Sequence, residues 1–172
     1  MLHHPSHVYL DNTCYFLTAR IYNRNKILDT DNKKKILSRE IYKVLKKFNC
    51  KIFAYVILEN HYHLLLKTSR GTDLPKILNL IHGRVAYKLN KIDNTKGRKV
   101  FQNYWDYCIR NKNDFWKHFN YIHNNPIKHG HTNNMNDYKF SSYNPWLNKK
   151  GYNWLNELLT EYPITDFGLN ID

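Results

Sequence analysis

The chain has 172 residues, 42% of them hydrophobic, which suits one unit with a real core and excludes global disorder. Its formal charge is +13, with 27 Lys and Arg against 14 Asp and Glu, and this favours a polyanionic partner. Three cysteines without CxxC spacing (Cys14, Cys50, Cys108) argue against a disulfide framework or a cysteine zinc site, and no apolar run approaches the length of a membrane span.

Cys14 to Tyr22 mixes aromatic and β-branched residues and reads as a strand. Thr30 or Asp31 caps a helix with Ile36, Leu37, Ile41, Val44, Leu45 and Phe48 at helical spacing. Lys51 to Leu58 is a second strand, with Ile52, Ala54, Val56 and Leu58 on one face and Phe53, Tyr55 and Ile57 on the other. Glu59-Asn60 turns a tight hairpin into a third strand, His61 to Thr68. Gly71-Thr72-Asp73 opens a second helix striped by Leu74, Ile77, Leu78, Ile81, Val85 and Leu89. Asp93 to Gly97 is a loop and Val100 to Ile109 a last strand. A helix over 113–124 follows and stops at Asn125, because the residue before a proline is pushed out of the α region.

The order β-α-β-β-α-β plus a terminal helix is the α+β, ferredoxin-like plan: an antiparallel sheet, two helices on one face, the other face open. The strand carrying His61 and His63 is then central and rigid. After Gly130 the chain turns polar, then aromatic through Tyr138, Phe140, Tyr143, Trp146, Tyr152 and Trp154. No repeat or second domain is evident. The expectation is one domain over 1–172, with a core over about 8–130 and an extension over 131–172 that packs back on the body or lines a groove. Met1 to His7 has no apolar signal core, and reduced thiols fit a cytoplasmic protein. The early histidines, His3, His4 and His7, are not read as a metal site.

His61 and His63 are two apart on a predicted strand, so both imidazoles project from one face. Tyr62, Leu64 and Leu66 then point toward the helices. Two adjacent imidazoles can bind one divalent cation. A motif this short also arises by chance, and the pair needs a third ligand and open positions for substrate oxygens. The helix over 113–124 offers that ligand. Phe115, Phe119 and Ile122 form its core stripe, while His118, Tyr121 and Asn125 share one flank. Laid across the open sheet face, it could aim Tyr121 at the metal while the Asn125 amide oxygen completes the coordination. Against this stand 14 tyrosines, most of which pack or face water, and the plain reading of Asn125-Pro126 as a helix stop.

Asn60-His61-Tyr62-His63-Leu64-Leu65-Leu66 resembles the His-hydrophobe-His motif of HUH-class single-tyrosine transposases. The block from Phe115 to Gly130 resembles the tyrosine helix of one branch, the REP-associated tyrosine transposases, and Ser141-Ser142-Tyr143 the serine pair that follows it. The resemblance spans roughly residues 8–147. It implies a ferredoxin-like DNA nicking and joining enzyme that cuts single-stranded DNA near a hairpin. Tyr121 would be the nucleophile, forming a 5′-phosphotyrosine and freeing a 3′-hydroxyl. His61, His63 and Asn125 would hold a divalent metal, Mg²⁺ or Mn²⁺. Transposases of the wider class often carry glutamine at the Asn125 position. Glu59 stands where the branch commonly has proline, and Tyr62 is larger than the usual middle residue. The implied partner is hairpin-bearing single-stranded DNA, with no membrane, and the chain acts as monomer or homodimer.

Lys76, Arg84, Lys88, Lys91, Lys96, Arg98 and Lys99 read together as a diffuse phosphate-contacting surface that gives salt-sensitive binding. Singly, each fits a solvated helix face. AT-rich codons account for the excess of Lys over Arg, but not for so few acids. Two other functions compete. A non-catalytic single-strand nucleic-acid-binding module of the same fold leaves His61 and His63 unexplained, and the chain lacks an aromatic-rich RNP signature. A metallohydrolase that activates water would leave no covalent adduct.

Overall fold

The computed structural model describes residues 9–167. Four strands, β1 (Thr13–Ile21), β2 (Lys51–Ile57), β3 (His61–Thr68) and β4 (Phe101–Cys108), form one antiparallel sheet in the order β2-β3-β1-β4. Helix α1 (Asp31–Lys47) follows β1 and α2 (Leu74–Ile92) follows β3, which gives the βαββαβ order read from the residue pattern. Thr30 caps α1, its side chain accepting the Lys33 N–H at 3.3 Å. Tyr62, Leu64 and Leu66 of β3 point to this helical layer and pack with Leu37, Ile41 and Val44 of α1 and the whole predicted stripe of α2. Each fully buried Leu or Ile there contributes ~1.5–3 kcal/mol.

The alternation expected along β2 breaks at Phe53. Ile52 pairs with Leu66 but Ala54 pairs with Leu65, so an extra residue enters β2 as a bulge. Ile52 therefore packs with the helix-side core, while Phe53 joins Ala54 and Val56 on the other face.

That other face is covered by α3 (Lys112–Lys128), α4 (Tyr143–Lys150) and α5 (Tyr152–Glu161). Phe16, Ala54, Val56 and Leu65 of the sheet pack with Phe119 and Ile122 of α3 and with Tyr143, Leu155 and Leu158 beyond it. The extension after Gly130 thus packs back on the body. Ser141 bridges Val56, the Ser142 N–H donates to the Tyr55 carbonyl at 3.0 Å, and Trp146 Nε1 donates to the Phe53 carbonyl at 2.6 Å. These bonds cover the outer edge of β2, which would otherwise be an open pairing surface.

α3 does not stop at Asn125; Pro126 lies inside it and the helix runs to Lys128. Pro126 has no N–H to give the Ile122 carbonyl, and an interior proline costs roughly 3 kcal/mol. Burial of Asn125 and Pro126 offsets this. So does the helix end, where the His131 N–H donates to the Pro126 carbonyl and the Gly130 N–H to the Ile127 carbonyl, both at 2.9 Å. Gly130 takes φ +69° there, closing a Schellman motif. Tertiary contacts override the local preference, and the extra turn carries Lys128 and His129 over the sheet.

Cys14, Cys50 and Cys108 are free thiols. Among the described residues no helix is long and apolar enough to cross a membrane. His3, His4 and His7 lie outside the described residues.

Candidate active site

Antiparallel register sets the floor of the site. On β1, Thr18 pairs with His63 and Arg20 with His61. The two imidazoles lie on the α3 side of the sheet with ring centroids 5.0 Å apart. Each ring has its Nδ1 engaged by an oxygen: Asn60 Oδ1 at 2.7 Å from His61, and Thr18 Oγ1 at 2.8 Å from His63. When such an oxygen accepts from Nδ1–H, the Nε2 lone pair is left pointing outward, which is the tautomer a metal ligand needs.

Asn125 comes down from α3, and its Oδ1 lies 3.1 Å from His61 Nε2. His61 therefore has an amide oxygen at each ring nitrogen, and a neutral imidazole donates to only one of them. Adjacent ligands of an octahedral ion bound at ~2.1 Å sit about 3 Å apart, so the spacing fits a shared ion. Asn125 Nδ2 is buried with no hydrogen-bond partner among the described residues. Those residues contain no group of three or more His, Cys, Asp or Glu suited to an ion.

Tyr121 lies one helical turn before Asn125, on the same flank of α3. It is 2% exposed, and its ring centroid is 5.6 Å from that of His63 at an interplanar angle of 70°. Phe16 of β1 meets the rings of both Tyr121 and His63, at 5.9 and 5.4 Å. Lys128 Nζ stands 5.3 Å from the Tyr121 ring centroid. The structure thus brings together the four residues singled out by pattern: Tyr121, His61, His63 and Asn125.

Several neighbours escaped the residue pattern. His129, whose ring is 4.9 Å from that of His61, and Lys128 reach the site only because α3 continues through Pro126. Gly130 was the available signal, as a left-handed residue that closes a helix. Thr18 and Arg20 become visible only through strand register.

Other singled-out residues serve the frame. His123 Nε2 and the Ser142 hydroxyl are hydrogen-bonded at 2.6 Å, and Ser142 Oγ accepts the Tyr55 N–H at 2.8 Å. Burial pushes the His123 pKa down to about 3, keeping the ring neutral. Glu59 pairs with Lys26 at 3.0 Å, which holds its carboxyl below the usual range.

The predicted phosphate-contacting residues belong to α2 and the segment after it, on the layer opposite the histidines, so the structure does not bring them to the site. Lys88 and Arg84 pair with buried Glu40 at 2.6 and 3.6 Å, Arg98 with Asp93 at 2.7 Å, and Lys76 with Asp73 at 3.4 Å. Lys99 lies over the Tyr22 ring at 4.6 Å, while Lys91 and Lys96 are exposed.

Known proteins resemble this chain in sequence and fold. The chain is 28% identical over 137 residues to a REP-associated tyrosine transposase of Escherichia coli K12, covering 78% of this chain and 79% of that one. A solved structure of a REP-associated tyrosine transposase bound to a REP hairpin superposes with a TM-score of 0.73 at 25% identity, over 86% of each chain. These likenesses bear out the resemblance carried by the tyrosine-helix block. The family model described as "Transposase IS200 like" matches residues 10–125, well over half of the chain. The chain belongs to the IS200-like transposase family.

Proposed function

We propose that this transposase is a metal-dependent endonuclease and strand transferase for single-stranded DNA, cutting near a hairpin through a 5′-phosphotyrosine on Tyr121. One observation carries the reading. A single helix sets Tyr121 beside His63, with ring centroids at 5.6 Å, and Asn125 against His61 at 3.1 Å. The superposable relative bound to a REP hairpin supports hairpin DNA as the substrate.

His61, His63 and Asn125 would hold Mg²⁺ or Mn²⁺, the two imidazoles favouring Mn²⁺. When bound, the ion polarises the scissile phosphate and stabilises the charge that builds during in-line displacement. Asn60 and Thr18 fix the two imidazoles by their Nδ1 contacts. A free tyrosine has pKa about 10 and is mostly neutral at pH 7, so the attacking oxygen must lose its proton during the step. The Tyr121 oxygen forms a bond to phosphorus as the bond to the 3′-oxygen breaks. The phenolic proton passes to solvent, and the departing oxygen takes one up as a 3′-hydroxyl. The phosphotyrosine conserves the ester bond, so another 3′-hydroxyl can reverse the step. The chain acts as monomer or homodimer. Of the basic residues on and after α2, Lys91 and Lys99 are assigned to phosphates remote from the cut, while Lys76, Arg84, Lys88 and Arg98 are engaged by Asp73, Glu40, Glu40 and Asp93.

The test is a hairpin-bearing single strand, labelled on the 3′ side of the cut and incubated with Mn²⁺. A covalent adduct that maps to Tyr121 by mass spectrometry is expected. Cleavage without any adduct would identify a water-activating nuclease instead.

A further inference from the structure

Strand register puts a cation on the floor of the site that neither holds the ion nor attacks the phosphate. Arg20 of β1 pairs with His61 of β3, two residues along from the pair of Thr18 with His63. Thr18 Oγ1 lies 2.8 Å from His63 Nδ1, so this row of β1 faces α3, and the alternation of a strand carries Arg20 to the same face. Side chains directly opposite each other in an antiparallel pair start about 5 Å apart, so the Arg20 stem rises beside the His61 ring. Arg20 is half-buried. On its other side the ladder widens. Ala19 pairs with Tyr104 but Ile21 with Phe101, so β4 sets two exposed residues, Gln102 and Asn103, opposite Arg20. Irregularities of this kind gather beside active sites, where they re-aim a side chain. The β2 side of the histidine pair is closed: Tyr138 Oη donates to the Ile57 carbonyl at 2.8 Å, and the Phe140 carbonyl accepts the Ile57 N–H at 2.9 Å. Tyr121 stands toward β1, against Phe16. Substrate oxygens therefore meet the ion from the β1 side, where Arg20 stands.

We propose that Arg20 is a catalytic residue whose guanidinium holds one non-bridging oxygen of the scissile phosphate while the ion holds the other. The inference deepens the reading of Tyr121 as the nucleophile and rests on it. A phosphodiester carries one negative charge. In-line attack by the Tyr121 oxygen loads further charge onto the oxygens around phosphorus before the bond to the 3′-oxygen is fully broken, and a fixed cation aimed at those oxygens lowers the barrier. Arg20 takes no part in proton transfer, because a guanidinium stays charged in proteins. Bond making and breaking are unchanged: the phenolic oxygen bonds to phosphorus and the 3′-oxygen leaves. What Arg20 adds is charge in a planar fork of N–H donors, which suits phosphate oxygens and holds the phosphorus in line with Tyr121. Lysine would offer the charge without the fork.

The test uses two hairpin-bearing single strands, with the cut mapped beforehand on the wild type. One is natural. The other has a methylphosphonate at the cut, where an uncharged methyl group replaces one non-bridging oxygen. Single-turnover cleavage is followed in Mn²⁺. On the natural strand Arg20→Ala is expected to be slower by about 100-fold or more, the usual loss when one donor to a developing oxyanion is removed. Arg20→Lys should recover part of that rate and Arg20→Gln none. The Mn²⁺ concentration for half-maximal rate should stay at the wild-type value in all three, since Arg20 is not a ligand. The methylphosphonate leaves no phosphate charge to neutralise, so on that strand wild type and Arg20→Ala should cut within about threefold of each other. A misfolded or merely loosened variant would instead lose the same factor on both strands. That result, a shifted Mn²⁺ requirement, or a methylphosphonate strand that Arg20→Ala leaves uncut would overturn the assignment. So would wild-type cutting of the natural strand by Arg20→Ala, and the adduct on Tyr121, read separately by mass spectrometry, would then still stand. A wild type that cuts without an adduct would remove the nucleophile, and with it the premise of this role.

Discussion

His61 and Asn125 are 64 residues apart in the chain, yet His61 Nε2 and Asn125 Oδ1 lie 3.1 Å from each other. A sheet strand and a helix crossing it must both be in register for that contact to form. Asn125→Ala removes the only side-chain oxygen proposed for the ion; loss of even an outer-shell partner typically costs about 10–100-fold in metal affinity or activity, and loss of a direct donor should cost at least as much. Asn125→Gln keeps an amide oxygen on a longer arm and should recover part of the activity at raised Mn²⁺. Cleavage rate against Mn²⁺ concentration reads both effects. A wild-type curve for Asn125→Ala would remove it from the ligand set.

Tyr121→Phe keeps the ring that packs against Phe16 and His63 but has no oxygen to attack phosphorus. Nicking should fall below detection. Affinity for a hairpin-bearing strand should stay within about twofold, since removal of one partly screened polar group is worth well under 1.4 kcal/mol in binding. Gel cleavage and anisotropy on the same preparation measure the two. Undiminished nicking would take the nucleophile's role away from Tyr121.

His61→Ala and chelation of the wild type should produce the same phenotype, because both remove the ion from the phosphate. Cleavage should vanish in each and return on metal addition only in the wild type, with Mn²⁺ effective at lower concentration than Mg²⁺. Full activity in chelator would contradict a metal-dependent reaction.

Much of the frame can be read from residue pattern. The six apolar residues of α2 recur at helical spacing and all are buried, and the alternation of β3 sends Tyr62 and Leu64 one way, His61 and His63 the other. What cannot be read depends on partners far away in sequence. The bulge at Phe53 is set by how β2 meets β3. The passage of α3 through Pro126 is permitted by burial and by the closing bonds at Gly130, neither of which a local rule about proline contains. The same limit hid Thr18, Arg20 and His129, whose nearness to the histidine pair is a product of register and of that extra helical turn.

His123 makes the fold acid-sensitive. Its ring, hydrogen-bonded to Ser142, is buried, and burial drops its pKa in the folded state to about 3 from an ordinary value near 6.5. The unfolded chain then binds a proton that the folded chain refuses. Its full contribution is present above about pH 6.5 and is lost progressively as pH falls toward 3. His123→Gln, which does not titrate, should be less stable at pH 7.5 but should show a flatter decline in Tm between pH 7 and 4. Parallel Tm curves for the two proteins would show that another group sets the acid limit.

The α2 cations should separate into stabilising and binding roles. Glu40 is 2% exposed, and Lys88 at 2.6 Å is foremost in holding its carboxyl below the usual range. Lys88→Ala leaves Glu40 with Arg84 at 3.6 Å and Lys43 at 3.9 Å, both partly solvated. Allowing for solvent screening of Lys88, a loss of about 1 kcal/mol in stability is expected, with little change in DNA affinity. Lys91 and Lys99 are in no ion pair found among the described residues, and Lys91→Ala/Lys99→Ala should have the opposite profile. Stability should hold while the slope of log affinity against log salt becomes shallower by about 1 to 2. An unchanged slope would place the phosphate path elsewhere, on the α3 face with Arg20, Arg110 and Lys128.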